Sequence, residues 1–156
     1  MNTPHIQADD WRTLAFRLVL ALMAGGVIGW NRQVSGKPAG LRTHMLVSMG
    51  SALFVIVPLC VGASGEAISR TIQGVATGVG FLGAGDIVRQ SLRDSGHEVP
   101  RNLASAAAIW VTAGLGIATG YGLWQLTALG AVLTLLTLTV VKKIEPAPQR
   151  DERGER

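Results

Sequence analysis

Asp86 is the residue whose chemistry stands out. It ends the stretch Gly74-Val75-Ala76-Thr77-Gly78-Val79-Gly80-Phe81-Leu82-Gly83-Ala84-Gly85-Asp86, which is otherwise uncharged and holds five glycines. A carboxylate inside so apolar a run costs several kcal/mol unless it is paired or wetted, so function is the default reading. An ion pair with Arg89, three residues on, explains it equally well. As a Mg²⁺ site it is poorly equipped. That ion wants near-octahedral oxygen ligands, and no second carboxylate lies in the matching half of another apolar run. Gln73 and Thr77 share a helical face with Ala84, and Asp86 lies well round from them.

Three arginines form a second constellation: Arg42, Arg70 and Arg101 each open an apolar run. Flanking charge at a membrane surface accounts for Arg42 and Arg101. Arg70 falls on the opposite side, where Glu66, four residues earlier, is its natural partner. The remaining reactive types do not assemble. His5, His44 and His97 are scattered, with no metal-binding spacing. Cys60 is the single cysteine and lies in an apolar block, which excludes an intramolecular disulfide and a cysteine-rich zinc site. Gly78-Val79-Gly80-Phe81-Leu82-Gly83 spells the dinucleotide fingerprint GxGxxG, but that motif needs a strand before it and a helix opening at the glycines. No catalytic set, cofactor site or metal site emerges, and the chain reads as a non-enzyme.

The elements that must carry these residues follow from composition. Of 156 residues 48% are hydrophobic, and they come in long uncharged blocks. Such blocks mark an all-α, polytopic helical membrane protein. Five transmembrane helices are expected, at residues 11–30, 44–62, 71–88, 103–120 and 123–141. A polar lead at 1–10 precedes them, and a charged, disordered tail at 142–156 follows. Trp11 and Trp30 suit the two water interfaces of the first span. Arg12 and Arg17 near its end are expected to snorkel, and Pro58 to kink the second span. In lipid the glycine run must be helical. Its small residues on two sides predict close neighbours on both, hence a central place in the bundle. The fourth span, with Ala104, Ser105, Ala108, Gly116 and Gly120, is its natural partner. In the fifth, Leu126, Leu129, Leu133 and Leu136 face lipid, while Thr127, Thr134 and Thr137 face the bundle.

Lys and Arg concentrate at residues 31–42, 89–102 and beyond 142, which places those segments in the cytoplasm and the N-terminus outside. The formal charge of +4 is thus topological. Scarce aromatics and the lack of a basic stripe leave nucleic-acid binding unsupported.

The segments Ser35-Gly36-Lys37-Pro38-Ala39-Gly40-Leu41-Arg42-Thr43-His44, Gly78-Val79-Gly80-Phe81-Leu82-Gly83-Ala84-Gly85 and Ala106-Ala107-Ala108-Ile109-Trp110-Val111-Thr112-Ala113 resemble, in order and spacing, the MgtC/SapB family of bacterial inner-membrane proteins. The likeness covers residues 12–141. It implies a five-span membrane domain, a link to adaptation to low magnesium, and a regulatory role through the F-type ATP synthase or another membrane protein. It brings Arg42, Thr43, Arg70, Gly78, Gly80, Gly83, Gly85, Arg101 and Trp110 forward as candidate functional residues beside Asp86. Two positions depart from the family: Asn31 stands where an acid is usual, and Asp86 where an aliphatic residue is usual. Longer members carry a cytoplasmic regulatory domain after the last span, whereas this chain ends about fifteen residues beyond it. The leading expectation is a protein that acts by helix contacts with a membrane partner in the inner membrane. The alternative is a small transporter or channel for Mg²⁺ or another cation. A third reading is a homo-oligomeric structural protein surrounded by membrane lipid.

Overall fold

A computed structural model describes residues 10–91 and 103–141. Most of the expected lead, the greater part of the third loop, the side chain of Arg89, Arg101 and the tail lie outside the described residues. Five α-helices account for nearly all of the rest: Trp11–Val34 (α1), Leu41–Cys60 (α2), Gly65–Ser91 (α3), Leu103–Tyr121 (α4) and Trp124–Leu136 (α5). α5 passes directly into a π-helical turn, Thr137–Val141. No strand occurs among the described residues.

Local chemistry sets the helix limits. Asp10 caps α1 by accepting the Thr13 N–H at 3.3 Å. α1 ends past its expected limit because Gly36, at φ 67, takes the left-handed turn. There the N–H groups of Gly36 and Lys37 donate to the Gln33 and Arg32 carbonyls, each at 3.0 Å. α3 starts six residues before its expected limit. Ser64 Oγ accepts the Ala67 N–H at 3.2 Å, and Glu66 in the first turn suits the positive helix end. The expected connection over 63–70 is therefore mostly helix. α2 runs through Pro58 and stops two residues later. α4 and α5 reverse at Gly122, φ 93, with Leu123 N–H donating to Ala118 O at 2.9 Å.

Among the described residues four segments are long and apolar enough to cross a membrane: Trp11–Val34, Leu41–Cys60, Leu103–Tyr121 and Trp124–Val141. The glycine-bearing α3 is not one of them, so four candidate spans stand beside the five expected. Its 27 residues reach about 40 Å, so length is not the obstacle. Glycines, Thr71, Gln73 and Thr77 dilute its hydropathy.

The centre of the bundle is α4, not α3. Ser105, Ala108, Ile109, Thr112, Ala113, Gly116, Thr119 and Gly120 of α4 are all buried. α1 and α2 form an antiparallel hairpin on one side of it. α3 lies at the edge, its burial confined to Ile68, Val79 and Gly83. Val79 packs with Ile109, Ala113 and Ala39, so the expected pairing of the third and fourth helices is present. Ile68 packs with Val55 and Leu59 of α2. α5 lies outermost. Leu126, Leu129, Leu133 and Leu136 are exposed and Thr127 is buried, while Thr137 faces outward.

Candidate functional site

The close backbone approaches that the glycines of α3 were expected to make occur elsewhere. A Cβ at Gly74, Gly78, Gly80 or Gly85 would meet nothing within 4 Å; at Gly83 it would touch Ala106 at 3.2 Å. At Gly25 of α1 it would collide with the His44 carbonyl, and at Gly116 of α4 with the Ser48 carbonyl. At Gly29 it would lie 2.8 Å from Leu41 Cα, and at Gly120 2.7 Å from Ala52 O. Glycines of α1 and α4 thus grip α2 from two sides, close enough to touch its main chain. Small residues permit such contacts in lipid, where packing rather than hydrophobic segregation holds helices together.

Polar side chains line this three-helix seam. Arg32, 4% exposed, donates from Nη2 to Ser105 Oγ at 2.6 Å. Near the other end of α1, Arg17 donates from Nη1 to the Gly120 carbonyl at 2.7 Å. The two arginines tie α1 to α4 near both of its ends, and the crossing is antiparallel. Arg17 was expected to snorkel; it instead satisfies a carbonyl that the end of α4 leaves open. Between them His44 and Ser48, one turn apart on α2, are fully buried. The His44 Nδ1–H donates to Gly40 O at 2.9 Å, which leaves Nε2 as an acceptor. Neither Nε2 nor Ser48 Oγ has a hydrogen-bond partner among the described residues. Thr112 and Thr119 return their hydroxyls to Ala108 O and Leu115 O, at 2.8 and 2.7 Å. Thr119 also meets Thr127 of α5 at 3.0 Å.

The residues singled out in the sequence do not converge. Arg42 and Thr43 are exposed in the first turn of α2, and Trp110 is exposed on α4. Arg70 pairs with Glu66 as expected, both largely in the open, where such a pair contributes little. Asp86 is half-buried and has an interaction within the chain. Gly83 opposite Ala106 puts it at the Ser105 end of the bundle. The GxGxxG letters fall inside one unbroken helix, which is not the strand–turn–helix a nucleotide needs. No group of three metal-ligating side chains occurs among the described residues.

Gly74, Gly78 and Leu82 do come together with Gly50, Ser51 and Phe54 of α2, along a mostly apolar groove of about 570 Å³. Sequence reasoning missed Arg17, Arg32, His44 and Ser48 as seam residues. The available signal was spacing. Gly25, Gly29 and Arg32 share one helical face, as do His44 and Ser48, and Ser105, Thr112 and Thr119 recur every seven residues.

The MgtC family model matches residues 18–147. The chain is 50% identical to Protein SrpB of Synechococcus elongatus, over 93% of this chain and 84% of that protein. It is 45% identical to the Putative magnesium transporter YhiD of Escherichia coli K12, over 82% of this chain and 60% of that protein. It is 34% identical to Protein MgtC of Salmonella typhimurium, over 85% of this chain and 53% of that protein. The chain therefore spans little more than half the length of the latter two. No solved structure matches it.

Proposed function

Because the chain belongs to the MgtC family, we propose that it is a non-enzymatic inner-membrane protein that acts through helix contacts with a membrane partner. The observation that carries this reading is the outer face of α3. Gly74, Gly78, Gly80 and Gly85 have open space where a Cβ would stand, and Gln73 and Thr77 are exposed beside them. A side-chain amide facing lipid is costly, and glycines give lipid little to pack on, whereas against another small-faced helix the same face is favourable packing surface. α3 is then the fifth crossing, covered by the partner instead of lipid. Five crossings put the N-terminus outside and the C-terminus in the cytoplasm. The family resemblance supplies the F-type ATP synthase as the first partner to test and adaptation to low magnesium as the setting. Pull-down of the solubilised full chain from bacterial membranes is expected to enrich that complex, or another membrane protein, in place of self-contacts alone. Recovery of the chain by itself would sink the reading.

The printed name of the Escherichia coli relative favours a second reading, transport of Mg²⁺ as cargo. Reconstituted vesicles test it directly. Uptake that depends on the chain and weakens in Asp86→Asn supports transport, and uptake equal to empty vesicles removes it.

A further inference from the structure

Every polar side chain in the α1–α2–α4 seam has a bonding account except two. Thr112 and Thr119 bond their own helix, and Ser105 receives Arg32. His44 Nε2 and Ser48 Oγ, both fully buried, have none among the described residues. A buried acceptor without a donor ordinarily costs as much as a lost hydrogen bond, and tight packing forbids simple relief. Gly25 and Gly116 hold the main chain of α2 too closely for even a methyl group to enter. His44 is also the one described side chain whose ordinary chemistry takes up a proton near neutrality.

The surrounding charges decide what such uptake would do. From α1 the group in electrostatic contact with His44 is Arg32. α4 carries no titratable side chain from Leu103 to Gly120, and α2 itself adds exposed Arg42 and, at its far end, Cys60. Residues 11–65 contain no Asp or Glu at all. α3 brings half-buried Asp86 to the same end of the bundle. A proton on Nε2 would therefore place an imidazolium in a sealed seam, in electrostatic contact with a guanidinium. Two like charges out of water repel strongly, and the relief open to them is separation of α1 from α2 and entry of water.

We propose that His44 is a buried proton-binding site that latches the α1–α2–α4 seam: neutral, it holds the seam shut, and protonated, it loosens it. The chemistry is one proton taken from solvent onto Nε2, while Nδ1–H stays on Gly40 O.

The test uses the full chain in phospholipid bilayers with ¹⁵N-labelled histidine, His5 and His97 being replaced to isolate one signal. The expected spectrum at neutral pH shows the Nδ1–H tautomer, and a doubly protonated ring appears towards the acid end of a titration from roughly pH 8 to roughly pH 5. A ring protonated at Nε2 when neutral, or one that never takes a second proton in that range, overturns the proposal. Amide exchange over residues 21–32 and 41–52, corrected for its intrinsic pH dependence, reads the latch. It is expected to quicken about tenfold across the same range, the change that one unit of differential proton affinity carries. In His44→Asn, which keeps a donor for Gly40 O but cannot titrate, the quickening is lost. In Arg32→Gln it is reduced, and in Asp86→Asn it persists. Unchanged quickening in His44→Asn, or its loss in Asp86→Asn, overturns the assignment. The spectrum of the His44-containing chain decides the proton site even if His44→Asn does not fold.

Discussion

At Gly116 a methyl group would run into the Ser48 carbonyl, whereas at Gly74 it would meet nothing. Gly116→Ala is accordingly expected to destabilise the bundle by about 1–3 kcal/mol through overpacking. Gly74→Ala should be neutral or stabilising by up to about 1 kcal/mol, because alanine is the better helix former. Reversible unfolding in detergent micelles measures both, and equal costs would contradict the seam. Asp10 gives a second residue-level expectation. Hydrogen bonding by Thr13, first from its side chain and then from its N–H, holds the Asp10 carboxyl below the usual carboxylate range. The folded value thus lies below the unfolded one. The cap contributes above the ordinary range and is lost as pH falls through the folded value. Exchange of the Thr13 amide should quicken on that acid limb, and in Asp10→Ala it should already be fast at neutral pH.

Among the elements, α5 is held least tightly, with Thr127 as its one buried residue. Thr127→Val removes the hydroxyl contact with Thr119 without orphaning it, since Thr119 still bonds Leu115 O. The expected loss is about 0.6 kcal/mol, typical of hydrogen bonds between membrane helices. A loss of several kcal/mol in the same unfolding measurement would mean that α5 is more than a covering helix. The face of α3 behaves differently under substitution. Gly78→Leu should leave unfolding unchanged while abolishing partner recovery in pull-down. The helices themselves were legible because long uncharged blocks admit little else. Which helix lay at the centre was not. The glycine run looked central because glycine density was counted on one helix, while close approach depends on what faces each glycine. Four glycines of α1 and α4 meet backbone, while Gly74, Gly78, Gly80 and Gly85 of α3 face open space. The same limit hid His44 and Arg32. Each looks like an interfacial residue until the partner helix is known, and the partner of Arg32 lies 73 residues away.

For the whole molecule, the parity of crossings sets the topology. Four apolar segments alone would put both termini on one side; a fifth crossing by α3 puts them on opposite sides. Reporter fusions at residues 1 and 156 are expected to report outside and cytoplasm respectively, and like signals at both ends would take α3 out of the membrane. The ties from α1 to α4 have a consequence for how the chain is made. Arg17 and Arg32 bond groups 103 and 73 residues further along. While the ribosome is still adding α2 and α3, both arginines sit in a helix whose hydrogen-bond acceptors do not yet exist. Both lie near an end of α1, so until α4 arrives their guanidinium groups are expected to turn to interfacial water and headgroups. Synthesis of the fourth helix then exchanges that contact for the bonds inside the bundle.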